Sequence, residues 1–237
     1  MTPRGADHDP DAYAAAFAQR LSSSLAARAD PERAAAMAAY MRDQFHFVGV
    51  PTPPLTAALR GIIAEIGRPD AAELAAVGRS CWDHEEREWQ YAGCWVLRRF
   101  ARRCSDPSLL EIVAQLIVTR SWWDTVDSLA AVVGELVTAH PELGDEVQSW
   151  VGADDLWLVR ASILHQLRYG ERTDAARLFD ACERQATHPD FFIRKAIGWA
   201  LRTYAATAPE AVAAFLVAER PRLSGLSFRE ASKHLSL

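Results

Sequence analysis

The chain has 237 residues, half of them hydrophobic, and carries 26 basic against 31 acidic residues, for a formal net charge of -5. This length and apolar fraction can bury a sizeable core, so stability does not require metals or disulfides. No apolar run approaches the ~20 residues that span a bilayer, and the acidic N-terminus lacks the basic and apolar regions of a signal peptide. We therefore expect a cytoplasmic protein that does not enter membranes.

The four cysteines show no C-x-x-C pairing and no accompanying histidine spacing. This pattern argues against a zinc site or a disulfide framework and predicts reduced, mostly buried thiols. The histidines are scattered, and the usual motifs of zinc proteases, nucleotide-binding loops, dinucleotide-binding folds and serine hydrolases are absent. We therefore expect no metal and no cofactor.

The apolar pattern is helical almost throughout and predicts an all-α fold. Apolar residues recur at spacings of three and four, and no segment alternates as a strand does. Prolines that follow a polar or turn residue mark the helix starts, and about a dozen helices of ordinary length fit between them. These boundary prolines are Pro31, the stretch from Pro51 to Pro54, Pro69, Pro107, Pro141, Pro189 and Pro209. We predict one domain over 1–237, with an N-terminal helical extension over 1–34.

An internal repeat appears when the bulky residues that open the mid-chain helices are aligned. Trp89, Trp123, Trp157 and Phe192 are separated by 34, 34 and 35 residues. Such a period is typical of stacked helix pairs, each of which buries its apolar face against the next, so we predict a helical-repeat superhelix with a concave surface. The Trp-Leu-Gly-Tyr pattern of tetratricopeptide repeats is absent, which favours HEAT-like pairs.

Aligning the repeats also shows which positions break the pattern. Four residues after the anchors stand Gly93, Asp127, Ala161 and Ala196, so one repeat has a carboxylate where the others have a small residue. Close helix packing does not predict that exception. Two cations, Arg160 and Lys195, occupy equivalent positions three residues after their anchors and should project in the same direction. Trp199, seven residues after the last anchor, is an outsized aromatic.

The segment from Ser121 to Asp127 combines two tryptophans and two carboxylates at a helix start. With Ser121 as the N-cap, Asp124 would stand at the third helical position in an acidic capping box, and Trp123 would lie one turn from Asp127 on one face. An indole face attracts a cation by roughly 0.5 to 2 kcal/mol. A fixed carboxylate stabilises positive charge that develops in a transition state. The pair therefore predicts a site for a cationic substrate.

Several segments of the chain match one known family, in the same order along the sequence. They are Ala39 to Arg42, Phe45 to Gly49, Ser121 to Ser128, Leu156 to Ala161 with Ile163 and Leu164, Phe191 to Trp199, and Arg229 to Ala231. Through these segments the sequence resembles the AlkD-like DNA alkylation repair glycosylases over most of its length.

The resemblance implies a HEAT-like superhelix that grips duplex DNA in its concave face. It implies base excision repair by hydrolysis of the N-glycosidic bond of cationic N3- or N7-alkylated purines, without a base-flipping pocket, by a monomer that needs no membrane partner. Neutral lesions should then be poor substrates. The roles implied by the matching positions are catalytic carboxylate for Asp127, cleft walls for Trp123 and Trp199, backbone clamp for Arg160, and a further DNA contact for Tyr40. Lys195, at the repeat position of Arg160, is a further candidate DNA contact.

Several alternatives stay open at this stage. A non-catalytic HEAT-like scaffold that binds DNA or protein would share the fold. Arg160 could instead pair with Asp154 or Asp155, and Trp122 and Trp157 are expected to pack rather than bind. A basic stripe could track phosphates or simply be solvated; its members are Arg98, Arg99, Arg102 and Arg103.

Overall fold

A computed structural model describes residues 9–104 and 106–235. Within these ranges the chain forms thirteen α helices and no β strand, which confirms the predicted all-α class. Residues 1–8 of the predicted N-terminal extension lie outside the described residues. In the described ranges, no helix is both long and apolar enough to cross a membrane.

The helices fall into two compact units, Met1–Arg120 and Ser121–Leu237. The first contains α1 (Pro10–Ala26), α2 (Pro31–Tyr40), α3 (Thr52–Ile66), α4 (Ala71–Trp82), α5 (Arg87–Phe100) and α6 (Leu109–Ile117). The second contains α7 (Trp123–Ala139), α8 (Gly144–Ser149), α9 (Leu156–Leu164), α10 (Ala175–Arg184), α11 (Phe191–Ala205), α12 (Pro209–Ala218) and α13 (Gly225–Ala231). The single domain over 1–237 stays a prediction.

Helix starts follow the predicted signals. Helices α2 and α12 begin at Pro31 and Pro209, where the missing proline N–H and the preset φ suit the first turn. Helix α4 begins with a capping box, in which Asp70 accepts a hydrogen bond from the backbone N–H of Glu73 and the Glu73 side chain accepts one in return. Local sequence therefore determines where these helices begin.

Helix α7 begins one residue later than predicted. Its N-cap is Trp122, which has an extended backbone (φ -158°, ψ 161°), so the prediction of Ser121 as the N-cap was wrong. Asp124 is consequently the second helical residue and not the third. The four-residue spacing from Trp123 to Asp127 lies wholly within the helix, so the two residues still stand about one turn apart.

The predicted period of about 34 residues is visible in the packing of the second unit. Helix α7 packs against α9, and α9 packs against α11. Side-chain hydrogen bonds join positions one repeat apart: the Tyr169 hydroxyl donates to the Gly134 carbonyl at 2.6 Å, and the Ser227 hydroxyl to the Arg194 carbonyl at 2.9 Å. The same interval in the first unit joins the Trp82 indole to the Leu116 carbonyl at 3.0 Å. The helical-repeat organisation is therefore confirmed within each unit.

In the first unit, a buried carboxylate fixes the segment that follows α2. Glu88 is fully buried and accepts hydrogen bonds from the backbone N–H groups of residues 48–50 at 2.8 to 3.1 Å. Gly49 has φ +93°, and a Cβ atom there would lie 2.1 Å from the Asp30 carbonyl oxygen, so only glycine fits. The segment is thereby held against the start of α2, whose last residue is Tyr40.

Candidate functional site

The centre of the candidate site is an ion pair between helices α7 and α9. Nε of Arg160 donates to Oδ1 of Asp127 at 2.7 Å, and Nη2 donates to Oδ2 at 2.8 Å. The Arg160 side chain is 5% exposed, whereas that of Asp127 is 17% exposed. Two parallel charge-assisted hydrogen bonds fix the plane of a carboxylate. Asp127 is therefore oriented from the interior while part of it remains accessible.

Arg160 also reaches the next repeat. Its Nη1 donates to the carbonyl oxygen of Phe192 at 2.5 Å, so one guanidinium links α7, α9 and α11. The alternative pairing with Asp154 or Asp155 is not the one formed. Contact between Arg160 and a DNA phosphate stays a prediction, but all three of its side-chain nitrogen atoms are engaged by protein acceptors here.

Burial and Arg160 act in opposite directions on the pKa of this carboxylate. Burial raises the pKa of Asp127 above the ordinary value for aspartate, and nearby Asp124 adds to the rise. Hydrogen bonds and charge from Arg160 oppose it without cancelling it. Desolvation disfavours the charged form of an acid, and a neighbouring cation favours it. Arg160 therefore favours the ionised form of Asp127, which burial disfavours.

Packing agrees with the difference between Asp127 and the small residues at the equivalent position of the other repeats. Ala161 and Ala196 have no exposed surface, and a Cβ atom on Gly93 would lie 3.0 Å from Cβ of Cys81. Asp127 is the member of the set that keeps exposed surface and an ionic partner. Trp123, half-buried and one turn earlier on α7, shares its helix face. A cation bound there would meet an indole and a carboxylate together.

Three aromatic residues at the starts of α7, α9 and α11 form an aromatic cluster of Trp122, Trp157 and Phe192. The ring centroids of Trp122 and Trp157 lie 5.9 Å apart, and each lies 5.1 Å from Phe192. Edge-to-face and tilted pairs at such distances contribute about 0.5 to 1.5 kcal/mol beyond area burial. The packing role predicted for Trp122 and Trp157 is confirmed. By joining the three helix starts, the cluster holds Asp127 and Arg160 in register.

Lys195 and Trp199 lie on α11 in the same unit. Lys195 is 40% exposed, with Nζ 3.4 Å from Oε1 of Glu230 on α13. Arg160 is buried and pairs with Asp127 on α7, whereas Lys195 is more exposed and pairs with a residue of α13. That the two cations project in the same direction stays a prediction. Glu230 was not singled out from the sequence as a partner of Lys195. Nor was Arg202, although its spacing of seven from Lys195 and three from Trp199 places all three on one helix face.

The remaining predicted DNA contacts lie in the first unit. Tyr40 is 72% exposed at the end of α2. It is followed by Arg42 and Asp43, both with a left-handed backbone at φ 57°, a conformation that is costly for residues other than glycine. The four arginines of the basic stripe are all exposed, two at the end of α5 and two in the turn that follows. DNA contact by Tyr40 stays a prediction.

The cysteines are packing residues. All four are buried, free thiols, as predicted, and burial raises the pKa of Cys81 and of Cys182. Across residues 9–104 and 106–235, no group of three or more His, Cys, Asp or Glu side chains is arranged to hold a metal ion.

Comparison with known proteins agrees with the expected resemblance. The sequence model of the family described as DNA alkylation repair enzyme matches residues 21–235. A solved structure from Enterococcus faecalis, described as a predicted DNA alkylation repair enzyme, shares 32% sequence identity with a TM-score of 0.80, covering 88% of this chain and 97% of that chain. No protein of curated function matches significantly. The chain therefore belongs to the DNA alkylation repair enzyme family, whose members act in the repair of alkylated DNA.

Proposed function

We propose that the protein is a DNA glycosylase of base excision repair. It hydrolyses the N-glycosidic bond of cationic N3- or N7-alkylated purines in duplex DNA, without a base-flipping pocket. The observation that carries the proposal is the carboxylate of Asp127, which two hydrogen bonds from Arg160 orient and which keeps 17% of its side chain exposed beside Trp123.

A single carboxylate suffices for this chemistry. An alkylated purine already carries positive charge, so it departs as a neutral base with the bonding electron pair and needs no proton from the protein. The positive charge passes to the sugar, where the Asp127 carboxylate stabilises it, as glycosidase carboxylates do at oxocarbenium-like centres. Asp127 also orients the water that attacks the anomeric carbon. Neutral lesions lack the charge that makes the base leave.

Trp123 and Trp199 act as walls that hold the cationic base and sugar. Both side chains are half-buried, so each has indole surface available while its backbone is fixed in a helix. A cation over an indole face gains about 0.5 to 2 kcal/mol, more when water is excluded. The walls favour a charged lesion over an undamaged base.

Arg160 acts as a positioning residue in this proposal. Its guanidinium is almost fully buried and bonds to Asp127 and to the Phe192 carbonyl, which supports a role in fixing the acid more than in clamping a phosphate. Its charge opposes part of the rise in the pKa of Asp127 that burial causes. Arg160 therefore favours the ionised carboxylate and fixes its orientation.

Single-turnover release of 7-methylguanine from a defined methylated duplex tests the proposal. The wild type, Asp127→Asn and the matched control Asp124→Asn are compared with protein in excess. We expect release by the wild type and the control and almost none by Asp127→Asn. Equal release by all three proteins would refute the catalytic role of Asp127. No release by any of them, with duplex binding retained, would favour a non-catalytic DNA-binding scaffold.

A further inference from the structure

Three cations surround one carboxylate where α13 meets α11. Oε1 of Glu230 lies 3.4 Å from Nζ of Lys195 and 3.5 Å from Nζ of Lys233, which follows α13. Oε2 accepts from Nη1 of Arg202 at 2.6 Å. One negative and three positive charges leave this group, the Glu230 cluster, with a net charge of two positive units.

The fold builds the cluster by bringing the two helices unusually close. A Cβ atom on Gly198 of α11 would lie 2.5 Å from Cβ of Glu230 and 3.0 Å from the Ser227 carbonyl oxygen, so a larger residue would push α13 away. The Ser227 hydroxyl donates to the Arg194 carbonyl at 2.9 Å and fixes the same approach. The position of Glu230 is therefore determined by backbone packing and not by its ion pairs alone.

Within the cluster, the acid lies inside and the cations lie outside. The Glu230 side chain is 16% exposed, whereas those of Lys195, Arg202 and Lys233 are 40%, 26% and 54% exposed. Burial would raise the pKa of Glu230, but the three cations together hold it below its ordinary value. The acid stays ionised and gathers the cations, and the surface presented to solvent is positive.

This positive surface borders a proposed lesion-cleft wall. Lys195, Trp199 and Arg202 stand at i, i+4 and i+7 of α11, so the indole lies along the helix face between the two cations. Residues three or four positions apart on a helix have Cβ atoms roughly 5 to 6 Å apart, so each cation is a direct neighbour of the indole. A group that contacts the indole therefore has positive charge beside it.

We propose that the Glu230 cluster binds backbone phosphates of duplex DNA next to the base held by Trp199, with Glu230 as the residue that positions the cations. Only the placement next to the lesion rests on the proposed function. Arginine offers a fork and lysine a movable charge to phosphate oxygens, and such contacts fix the register of a protein on the duplex without reading sequence. The site supplies the phosphate contact that the buried Arg160 does not offer here.

The test measures affinity for an undamaged duplex at several salt concentrations. The variant Lys195→Ala/Lys233→Ala is compared with Arg184→Ala/Arg222→Ala, a control in the same unit that also removes two ion-paired cations, each 45% exposed. Affinity falls as salt rises, and each lost phosphate contact makes the negative slope of log K against log salt shallower by about 0.9. We therefore expect a slope shallower by about 1 to 2 for the cluster variant only. An unchanged slope, or an equal change in both variants, would overturn the phosphate site.

A second variant tests the role of Glu230. Glu230→Gln leaves three cations without a carboxylate, so we expect a steeper salt dependence together with slower single-turnover release at saturating protein. A residue that only anchors α13 would lower the melting temperature and leave the slope as it is, which would overturn the positioning role. The salt series on undamaged DNA needs no excision. Failure of the glycosylase proposal is therefore seen separately, as absence of release by the wild type.

Discussion

The pair of Asp127 and Arg160 should be strongly coupled in stability. Both side chains are largely buried, and two bonds of 2.7 and 2.8 Å join them. Asp127→Asn keeps one acceptor but leaves the Arg160 guanidinium without a compensating charge. Breaking a fully buried pair costs about 3 to 5 kcal/mol, and the exposed part of Asp127 reduces that figure, so we expect a loss of about 1 to 3 kcal/mol in the free energy of unfolding.

A double-mutant cycle isolates this coupling. Urea unfolding at neutral pH is measured for the wild type, Asp127→Asn, Arg160→Gln and the double variant. Arg160→Gln should be the costlier single change, because it also removes the bond to the Phe192 carbonyl. Since the double variant has no unpaired charge, it should be more stable than the sum of the single losses predicts, by about 1 to 3 kcal/mol. Single losses that add to within about 0.5 kcal/mol would refute the coupling.

Further predictions concern acidity, substrate charge, the cleft wall and the cluster. Because burial raises the pKa of Asp127, release of 7-methylguanine should decline on acidification at a pH above the ordinary pKa of aspartate. Arg160→Gln should shift this decline to higher pH, and an unshifted pH–rate profile would contradict the effect of Arg160 on the pKa of Asp127. The wild type should release 7-methylguanine but not the neutral 8-oxoguanine from otherwise identical duplexes, so comparable release would argue against a mechanism that relies on a cationic base. Trp199→Ala should slow release by about two- to thirtyfold, as a cation–indole contribution of about 0.5 to 2 kcal/mol implies, and Trp199→Phe should recover part of the loss. Full activity of Trp199→Ala would remove the residue from the cleft. The pKa of Glu230 is lower in the folded than in the unfolded chain, so the ionised side chain should stabilise the fold above the unfolded pKa and lose this effect as pH falls through the folded pKa. The free energies of unfolding of wild type and Glu230→Gln, measured in urea, should therefore converge at low pH. A difference that stays constant with pH would contradict this.

Local signals in the sequence predicted much of the fold. Proline and capping residues located helix starts such as Pro31 and Asp70, and the 34-residue spacing of bulky anchors predicted the repeats. Comparison between repeats singled out Asp127 without any other protein. The exception at α7 is instructive, because Trp122 packs into the aromatic cluster with an extended backbone and the helix starts after it.

The partners of the charged residues could not be predicted in this way. Arg160 has acids close by in sequence, yet it pairs with one 33 residues earlier. That choice depends on how far α9 is shifted along α7, which no local pattern encodes. Likewise, the spacing of Lys195, Trp199 and Arg202 was readable, but the carboxylate that joins the two cations comes from α13 and depends on the close approach at Gly198.

The buried arginine beside Asp127 restricts how this family can diverge. A descendant that lost only the acid would keep an enclosed cation without a counter-charge and would pay in stability for a site it no longer used. Loss of catalysis should therefore be followed by replacement of the arginine with a neutral side chain. Across relatives the two positions should covary, and an intact pair should distinguish working enzymes from homologues retained for other tasks.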